Sequence, residues 1–388
     1  MKKSNKRKPL RVFEAFAGIG AQHAALERAN LNYEIVGISE WFINALLAYD
    51  VIHSKPKEED GEIPTYEKQI EYLKHFTFSK DSVNPIKDIT KLSHNEIEQL
   101  YLANKRVKNY GSITEIKGSD MPECDLLVYS FPCQDLSTGG KTLGMKKGSG
   151  TRSGLLWEIE RILRELKKIN KLPEFLLMEN VKAIYAASNK TDLEQWLSFL
   201  ESIGYSNGSK MILNATNFGI PQDRNRAFII SHLGSKIDDS PLLEHHEKAP
   251  STMRFLKMDY ENDILRKEAN QAQLNKTPSR EKMWKINQRK ATSKTIVNTI
   301  TCNMDRSNTA AMFEYKGPKG DTYRLLTIRE AFLLMGFTEA DYTKTLRLGF
   351  SYRKMNKLIG NSIVVNVLQA IFELLFEDRF GQKGIKNA

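Results

Sequence analysis

The sequence is poor in cysteine. Only Cys124, Cys133 and Cys302 occur among 388 residues. An odd, scattered set without metal-ligand spacing excludes a disulfide framework and a zinc site, and fits a reducing compartment. No metal is expected. No run approaches the roughly 20 uninterrupted apolar residues that a membrane span needs. Internal repeats and long low-complexity tracts are missing too. The basic start, Met1 to Lys8, leads into Phe13-Glu14-Ala15-Phe16 and not into an apolar signal core. These absences point to a cytoplasmic protein with no membrane partner.

What is present suits a globular fold. A hydrophobic fraction of 40% beside 27% charged residues allows a sizeable core. A length of 388 residues favours two domains. The net charge of +11 calls for an anionic partner, and polyphosphate backbones attract such surfaces through counterion release.

The first 50 residues alternate strand and helix patterns. Leu10 to Phe16 reads as a buried strand, 17–20 as a tight turn, and Ala21 to Arg28 as a helix. Tyr33 to Ile38 reads as a second strand, followed by a helix from about Trp41 to Ile52. This order implies parallel strands with crossover helices, hence a doubly wound α/β sheet. Residues 54–110 read as an insertion of loops and short helices. Strand patterns resume at Cys124 to Ser130, Glu174 to Met178 and Arg226 to Ser231. Between the first two of these lie a Gly/Lys-rich loop, Ser137 to Ser153, and a helix with Leu155, Leu156, Ile159, Ile162, Leu163, Leu166 and Ile169 on one face. Asp192 to Ile203 reads as helical. From 234 to 323 the alternation is lost and basic residues accumulate, marking a second domain. Thr327-Ile328-Arg329-Glu330 is a capping box that opens a new helix, and a final helix is expected from about Ser362 to Glu377.

Three clusters carry chemistry. Phe16-Ala17-Gly18-Ile19-Gly20 lies between the first strand and first helix, where glycines let a ligand approach the backbone and helix amides add donors. Glu40, ending the second strand, is placed to accept both hydroxyls of a ribose, and Trp41 to stack on adenine. The glycines alone fit a ligand-free turn equally well, and the carboxylate tips the reading towards a nucleoside cofactor. The third glycine of Gly-x-Gly-x-x-Gly is replaced by His23, which points away from NAD and towards S-adenosylmethionine.

Cys133, in Ser130-Phe131-Pro132-Cys133-Gln134, directly follows a strand and so falls at the carboxyl edge of the sheet, where α/β enzymes bind ligands. There a thiol becomes a nucleophile if nearby cations or helix dipoles favour its thiolate. A buried structural cysteine is the commoner fate, but it fits a Pro-Cys-Gln loop poorly. Cys124 and Cys302 keep that plainer reading. Glu179-Asn180 follows another strand, and Arg224 and Arg226 precede a further one. Each alone would be ordinary surface; together they form a narrow combination.

In order and spacing these motifs resemble the bacterial DNA (cytosine-5-)-methyltransferase family along nearly the whole chain. The matching stretches are Phe16 to Gly20, Glu40-Trp41, Phe131 to Gln134, Glu179-Asn180-Val181, Gln222-x-Arg224-x-Arg226, Arg324-x-Leu326-Thr327-x-Arg329-Glu330-Ala331 and Gly360-Asn361-Ser362. The stretch through Thr151-Arg152-Ser153-Gly154-Leu155 is similar to CpG-methylating members from mollicutes. The resemblance implies a Rossmann-like, S-adenosylmethionine-dependent catalytic domain from 1–233 and 324–388. It also implies an inserted target-recognition domain at 234–323. The implied cofactor contacts are Phe16, Ala17, Gly18, Ile19, Gly20, Glu40, Trp41, Ile113, Pro132, Asn361 and Ser362. Family members often carry an acidic residue before an Ile to hold the adenine amino group; here Ser112 fills that place, with Asp88-Ile89 as the competing assignment.

The implied mechanism has Cys133 attack C6 of a cytosine flipped from duplex DNA. Glu179 protonates N3, and Arg226 holds O2 with Arg224 nearby. The implied DNA contacts are Gln134, Ser137, Lys141, Lys146, Lys147 and Arg152 in a closing loop, with Arg289 and Lys290 in the basic segment. The expected partners are double-stranded DNA and a separately acting restriction endonuclease, for a monomer in the nucleoid-associated cytoplasm. The competing readings are a transfer-RNA cytosine-5 methyltransferase and a catalytically silent DNA-binding regulator. An NAD-dependent oxidoreductase is the weakest.

Overall fold

A computed structural model describes residues 8–54, 62–132, 144–148, 152–287, 296–304 and 309–381. Cys133, Gln134, Ser137, Lys141, Arg289 and Lys290 lie outside the described residues. The chain divides into two compact units. One comprises Met1–Leu213, Asn225–Glu244 and Gln369–Ala388, and the other Asn214–Arg224 and His245–Leu368.

In chain order the first unit contributes β1 (Leu10–Ala15), α1 (Ala21–Arg28), β2 (Tyr33–Ser39), α2 (Ile43–His53), α3 (Tyr66–Leu73) and α4 (His94–Arg106). Then come β3 (Leu126–Tyr129), α5 (Leu156–Lys168), β4 (Phe175–Val181), α6 (Lys190–Ser202), β5 (Tyr205–Asn207) and β6 (Met211–Asn214). After the two-residue β7 (Gln222–Asp223) of the second unit, β8 (Asn225–Leu233) and the short α7 (Ser240–Leu243) return to the first.

The sheet runs β2-β1-β3-β4-β8-β5, with β6 also on β8. The pairs β1–β2, β1–β3 and β3–β4 are parallel, as the alternating pattern requires. The expectation of parallel strands fails at one edge, where β8 is antiparallel to β4 and β5 is antiparallel to β8. The physical reason is that β5 and β6 follow α6 with only short connections before β8, and a short connection can return only antiparallel. On one sheet face α5 buries Leu156, Ile159, Ile162, Leu163 and Leu166 against Leu127, Tyr129, Leu176 and Met178. Each such side chain stabilises the fold by about 1.5–3 kcal/mol. On the other face Ile38 and Leu46 pack with Ile97, Leu100 and Ala103 of α4. That helix spans 13 residues, longer than the short helices expected in the insertion, and starts at a full Ser93–Glu96 capping box.

Glu14 in β1 is fully buried, and neither of its carboxyl oxygens has a hydrogen-bond partner. Burial pushes its carboxyl up to about 8. The folded protein therefore keeps a proton that the unfolded chain releases at ordinary carboxylate pH. Its contribution to stability is complete below the unfolded value and is lost as pH rises towards 8. Thermal unfolding at pH 5.5 and 8.5 should show a lower midpoint at the higher pH, and Glu14→Gln should shrink that difference by several °C. An unchanged difference would assign the pH dependence elsewhere.

The second unit carries α8 (Asp263–Ala272), α9 (Pro278–Asn287), β9 (Val297–Asn298), the hairpin β10 (Phe313–Gly317) and β11 (Gly320–Arg324), and the helices α10 (Ile328–Leu334), α11 (Glu339–Thr345) and α12 (Tyr352–Gly360). α13 (Val365–Phe380) begins in this unit and passes to the first at Gln369. This unit has other bounds than the 234–323 read from sequence: residues 234–244 fall in the first unit, while 214–224 and 324–368 fall in this one. Residues 324–330 join it because Arg324 Nε donates to the Tyr260 hydroxyl at 2.7 Å and the Lys257 amide donates to Glu330 at 2.8 Å. Residues 214–224 join it because β7 pairs with β9. The stretch from Tyr352 to Phe380 is apolar enough by composition to cross a membrane. However, it breaks between α12 and α13, and most of its apolar residues, among them Ile359, Val365, Leu368, Ile371 and Phe372, are buried in the fold.

Candidate active site

The turn after β1 has three left-handed residues in five, with φ of 58° at Phe16, 59° at Gly18 and 78° at Gly20. A left-handed phenylalanine costs on the order of 1–2 kcal/mol, strain of a kind concentrated at functional sites. The neighbours hold it. Ala17 N donates to the Ser39 carbonyl at 3.2 Å, and His53 Nε2 donates to the Ile19 carbonyl at 3.0 Å. A Cβ at Gly20 would fall 2.3 Å from His53 Nε2, so no larger residue fits. A Cβ at Gly18 would meet nothing within 4 Å, so the turn opens onto free space there.

Glu40 is buried at the end of β2, where one oxygen holds this turn and the other the start of α2. Oε2 accepts from Gly18 N at 2.8 Å and Oε1 from Phe42 N at 2.7 Å. Burial pushes the carboxyl up to about 7, while the Phe42 and Gly18 amides oppose the rise. A carboxylate oxygen accepts two hydrogen bonds, so each keeps a lone pair for a further donor. An open turn beside two such acceptors fits the hydroxyls of a ribose, and hence S-adenosylmethionine. Glu40→Ala removes both, and the cofactor Kd should rise by about 100-fold or more, since each charge-assisted bond contributes roughly 1.5–3 kcal/mol. Isothermal titration with cofactor tests this; an unchanged Kd would remove Glu40 from the site.

Asn109 is a residue that sequence reasoning missed. Its side chain accepts from Glu40 N at 2.9 Å and donates to the Glu40 carbonyl at 3.0 Å, and it is itself fixed by Asn104 at 2.7 Å. Tyr110 N bonds the Ile38 carbonyl at 2.8 Å, and Ser39 Oγ bonds the Gly111 carbonyl at 2.9 Å. The segment leading to Ser112 and Ile113 thus lies along the end of β2. Ser112 is buried, with Oγ 2.8 Å from Thr114 Oγ1. Asp88 is exposed and takes the Thr90 amide and hydroxyl at 3.0 and 2.6 Å. Of the two assignments, this placement favours Ser112.

The two ends of the segment that carries Cys133 are tied together at Pro132 and Ser153. Asn180 Nδ2 donates to the Phe131 carbonyl at 3.0 Å, and Ser153 Oγ donates to the Pro132 carbonyl at 2.9 Å. Glu179 is buried on β4, between β3 and β8 in the sheet. Arg226 Nε lies 3.3 Å from its Oε1, and Ser130 Oγ donates to Oε2 at 2.5 Å. The structure thus brings together Glu179 and Arg226 at the foot of the Cys133 loop.

Arg224 behaves differently from Arg226. It is buried, and its guanidinium donates to three carbonyls, Ile300 at 2.7 Å, Gly360 at 3.1 Å and Ser362 at 2.5 Å. A guanidinium so engaged serves as a staple of the turn that carries Asn361 and Ser362. The expectation that it assists Glu179 changes accordingly. Lys147 also has a partner, since its Nζ lies 2.7 Å from Glu160 and 5.2 Å from the Trp157 ring. Met145 is buried, and its carbonyl accepts from Trp157 Nε1 at 2.6 Å, which anchors that end of the loop. Lys146 is exposed and Arg152 half-buried.

Comparison with known proteins bears on this arrangement. Residues 89–377 match the C-5 cytosine-specific DNA methylase family. The chain is 38% identical to the orphan methyltransferase M.SssI of Spiroplasma monobiae, covering 96% of this chain and 98% of that one. It is 35% identical to the type II methyltransferase M2.ScrFI of Lactococcus lactis subsp. cremoris, covering 95% and 100%. Among solved structures, the Dnmt2 methyltransferase of S. pombe is similar in fold. The TM-score is 0.64 at 20% identity, over 96% of this chain and 99% of that one.

Proposed function

This chain belongs to the C-5 cytosine-specific DNA methylase family, and from that premise we propose that Cys133, Glu179 and Arg226 carry its reaction. The reaction is transfer of a methyl group from S-adenosylmethionine to C5 of cytosine in DNA. The single observation that carries the assignment is Glu179, buried between Ser130 and Arg226 beside the tethered Phe131-Pro132. The bound cofactor supplies an electrophilic methyl group; the turn from Phe16 to Gly20, with Glu40, Trp41, Ser112 and Ile113, would hold it.

Cytosine C5 is a poor nucleophile. Addition of the Cys133 thiolate to C6 makes C5 enamine-like and splits one hard step into easier ones. Glu179 gives its proton to N3, which keeps negative charge from building on the ring. Arg226, already beside Glu179, donates to O2. C5 so activated takes the methyl group. Water then takes the C5 proton as the C5–C6 double bond re-forms and the C6–S bond breaks to release the thiolate, and N3 returns its proton to Glu179. The base must leave the duplex to reach this depth, at a cost of a few kcal/mol.

The second unit is the reader of the target. An open groove of about 1010 Å³ in it is lined by Lys276, Lys285 and Lys316 together with Glu281, Glu314 and Asp321, beside Trp284 and Tyr323, so its charge is balanced. What supports the reading is the run of basic residues across this unit, among them Arg254, Lys257, Arg266, Lys267, Arg280, Lys282 and Lys285, which suits a polyphosphate backbone. The protein acts as a monomer on duplex DNA in the nucleoid-associated cytoplasm, with any cognate restriction endonuclease acting separately. Transfer RNA as substrate and a silent regulator are the less favoured readings, given the family matched. Bisulfite sequencing of DNA from cells expressing the protein should reveal 5-methylcytosine in one sequence context. Methyl incorporation into transfer RNA but not DNA would overturn the reading.

A further inference from the structure

We propose that Ser130 is a positioning residue for the acid Glu179, holding its carboxyl group in one orientation through both of its protonation states. The inference rests on the role given to Glu179 above. Ser130 directly follows β3, is half-buried, and donates its hydroxyl to Glu179 Oε2 at 2.5 Å. That distance belongs to charge-assisted O–H···O⁻ bonds. The other oxygen faces Arg226 Nε at 3.3 Å. Glu179 stands on β4, whose sheet neighbours are β3 and β8. One oxygen is therefore held from the end of β3 and the other from β8.

The need for such a clamp follows from the side chain. The terminal torsion of glutamate has a broad, two-fold profile, so a carboxyl group left to itself is poorly aimed. A proton donor is efficient only when its oxygen is already directed at the acceptor. The two holders differ in chemistry. A guanidinium only donates, so its grip weakens when Glu179 carries a proton. Ser130 donates to Oε2 when Glu179 is ionised and goes on donating to it when the proton sits on Oε1, because the unprotonated oxygen of a carboxyl group still accepts. Glu179 can pass its proton to the base and later regain it without the carboxyl group swinging. Ser130 keeps its own hydrogen throughout and exchanges none with the base.

The test is a double-mutant cycle on single-turnover methyl transfer to a duplex that the wild-type protein methylates. Ser130→Ala should lower the rate about 10- to 100-fold, with the Kd values for DNA and cofactor unchanged. Ser130→Thr keeps the hydroxyl and should restore the rate to within about threefold of wild type. In a Glu179→Gln background, Ser130→Ala should have no further effect. A general defect in folding would instead multiply with the loss from Glu179→Gln, so multiplicative losses overturn the proposal even if Ser130→Ala is unstable. A rate for Ser130→Ala within twofold of wild type also overturns it. If Glu179→Gln itself matches wild type, the failure lies in the reading of Glu179.

Discussion

Replacing Cys133 with alanine should lower methyl transfer by about 10⁴-fold or more, while duplex DNA binding stays within a few-fold of wild type. The size follows from the chemistry, because without the sulfur nothing activates C5 and the easier two-step route is lost. Binding should survive because phosphate and groove contacts come from other residues. Filter binding and incorporation of labelled methyl groups, measured on the same preparations, separate the two effects. Retained methylation in Cys133→Ala would refute the nucleophile. A parallel loss of DNA binding would give the residue a different role.

The second large effect is on stability. Arg324 and Glu330 are both fully buried and form a two-pronged pair, Nη1–Oε2 at 2.8 Å and Nη2–Oε1 at 2.9 Å. Around them the remaining polar atoms find partners. Tyr260 meets Arg324, and the amides of Lys257 and Thr327 meet Glu330. Glu330 also completes the capping box that starts α10. Arg324→Met leaves a carboxylate buried without its cation, which should cost about 3–5 kcal/mol. The midpoint for the second unit should fall on the order of 10 °C. Arg324→Met combined with Glu330→Leu should lose less than the single change, because no uncompensated charge remains. Thermal unfolding of the three proteins decides this. A double variant worse than the single one would show that the pair contributes more than its removal saves.

Much of the site was legible because its residues sit at strand ends that the alternating pattern already located. The glycine turn and Glu40 stand where β1 and β2 stop, and Glu179 stands two residues before the end of β4, just past the strand pattern read from sequence. α5 was visible because its apolar residues repeat at helical spacing over four turns. The antiparallel edge was not legible, since β5 and β6 are too short for a periodic signal and strand direction is set by connection length. α4 was hidden by the polar character of its exposed face, although Ser93 and Glu96 marked its start. Arg224 and Arg226 look alike in sequence, and only the carbonyls that surround Arg224 separate a staple from a site residue. Asn109 and Ser130 act through hydrogen bonds to residues 69 and 49 positions away, which no local pattern encodes.

The most direct measurement of the central claim uses a duplex with 5-fluorocytosine at a target position, incubated with S-adenosylmethionine. Fluorine at C5 cannot leave as a proton does, so the sulfur added at C6 stays attached. A denaturant-stable protein–DNA adduct whose cross-linked peptide contains Cys133 is the predicted result. Full binding of that duplex with no covalent adduct, or an adduct on another residue, would contradict the account.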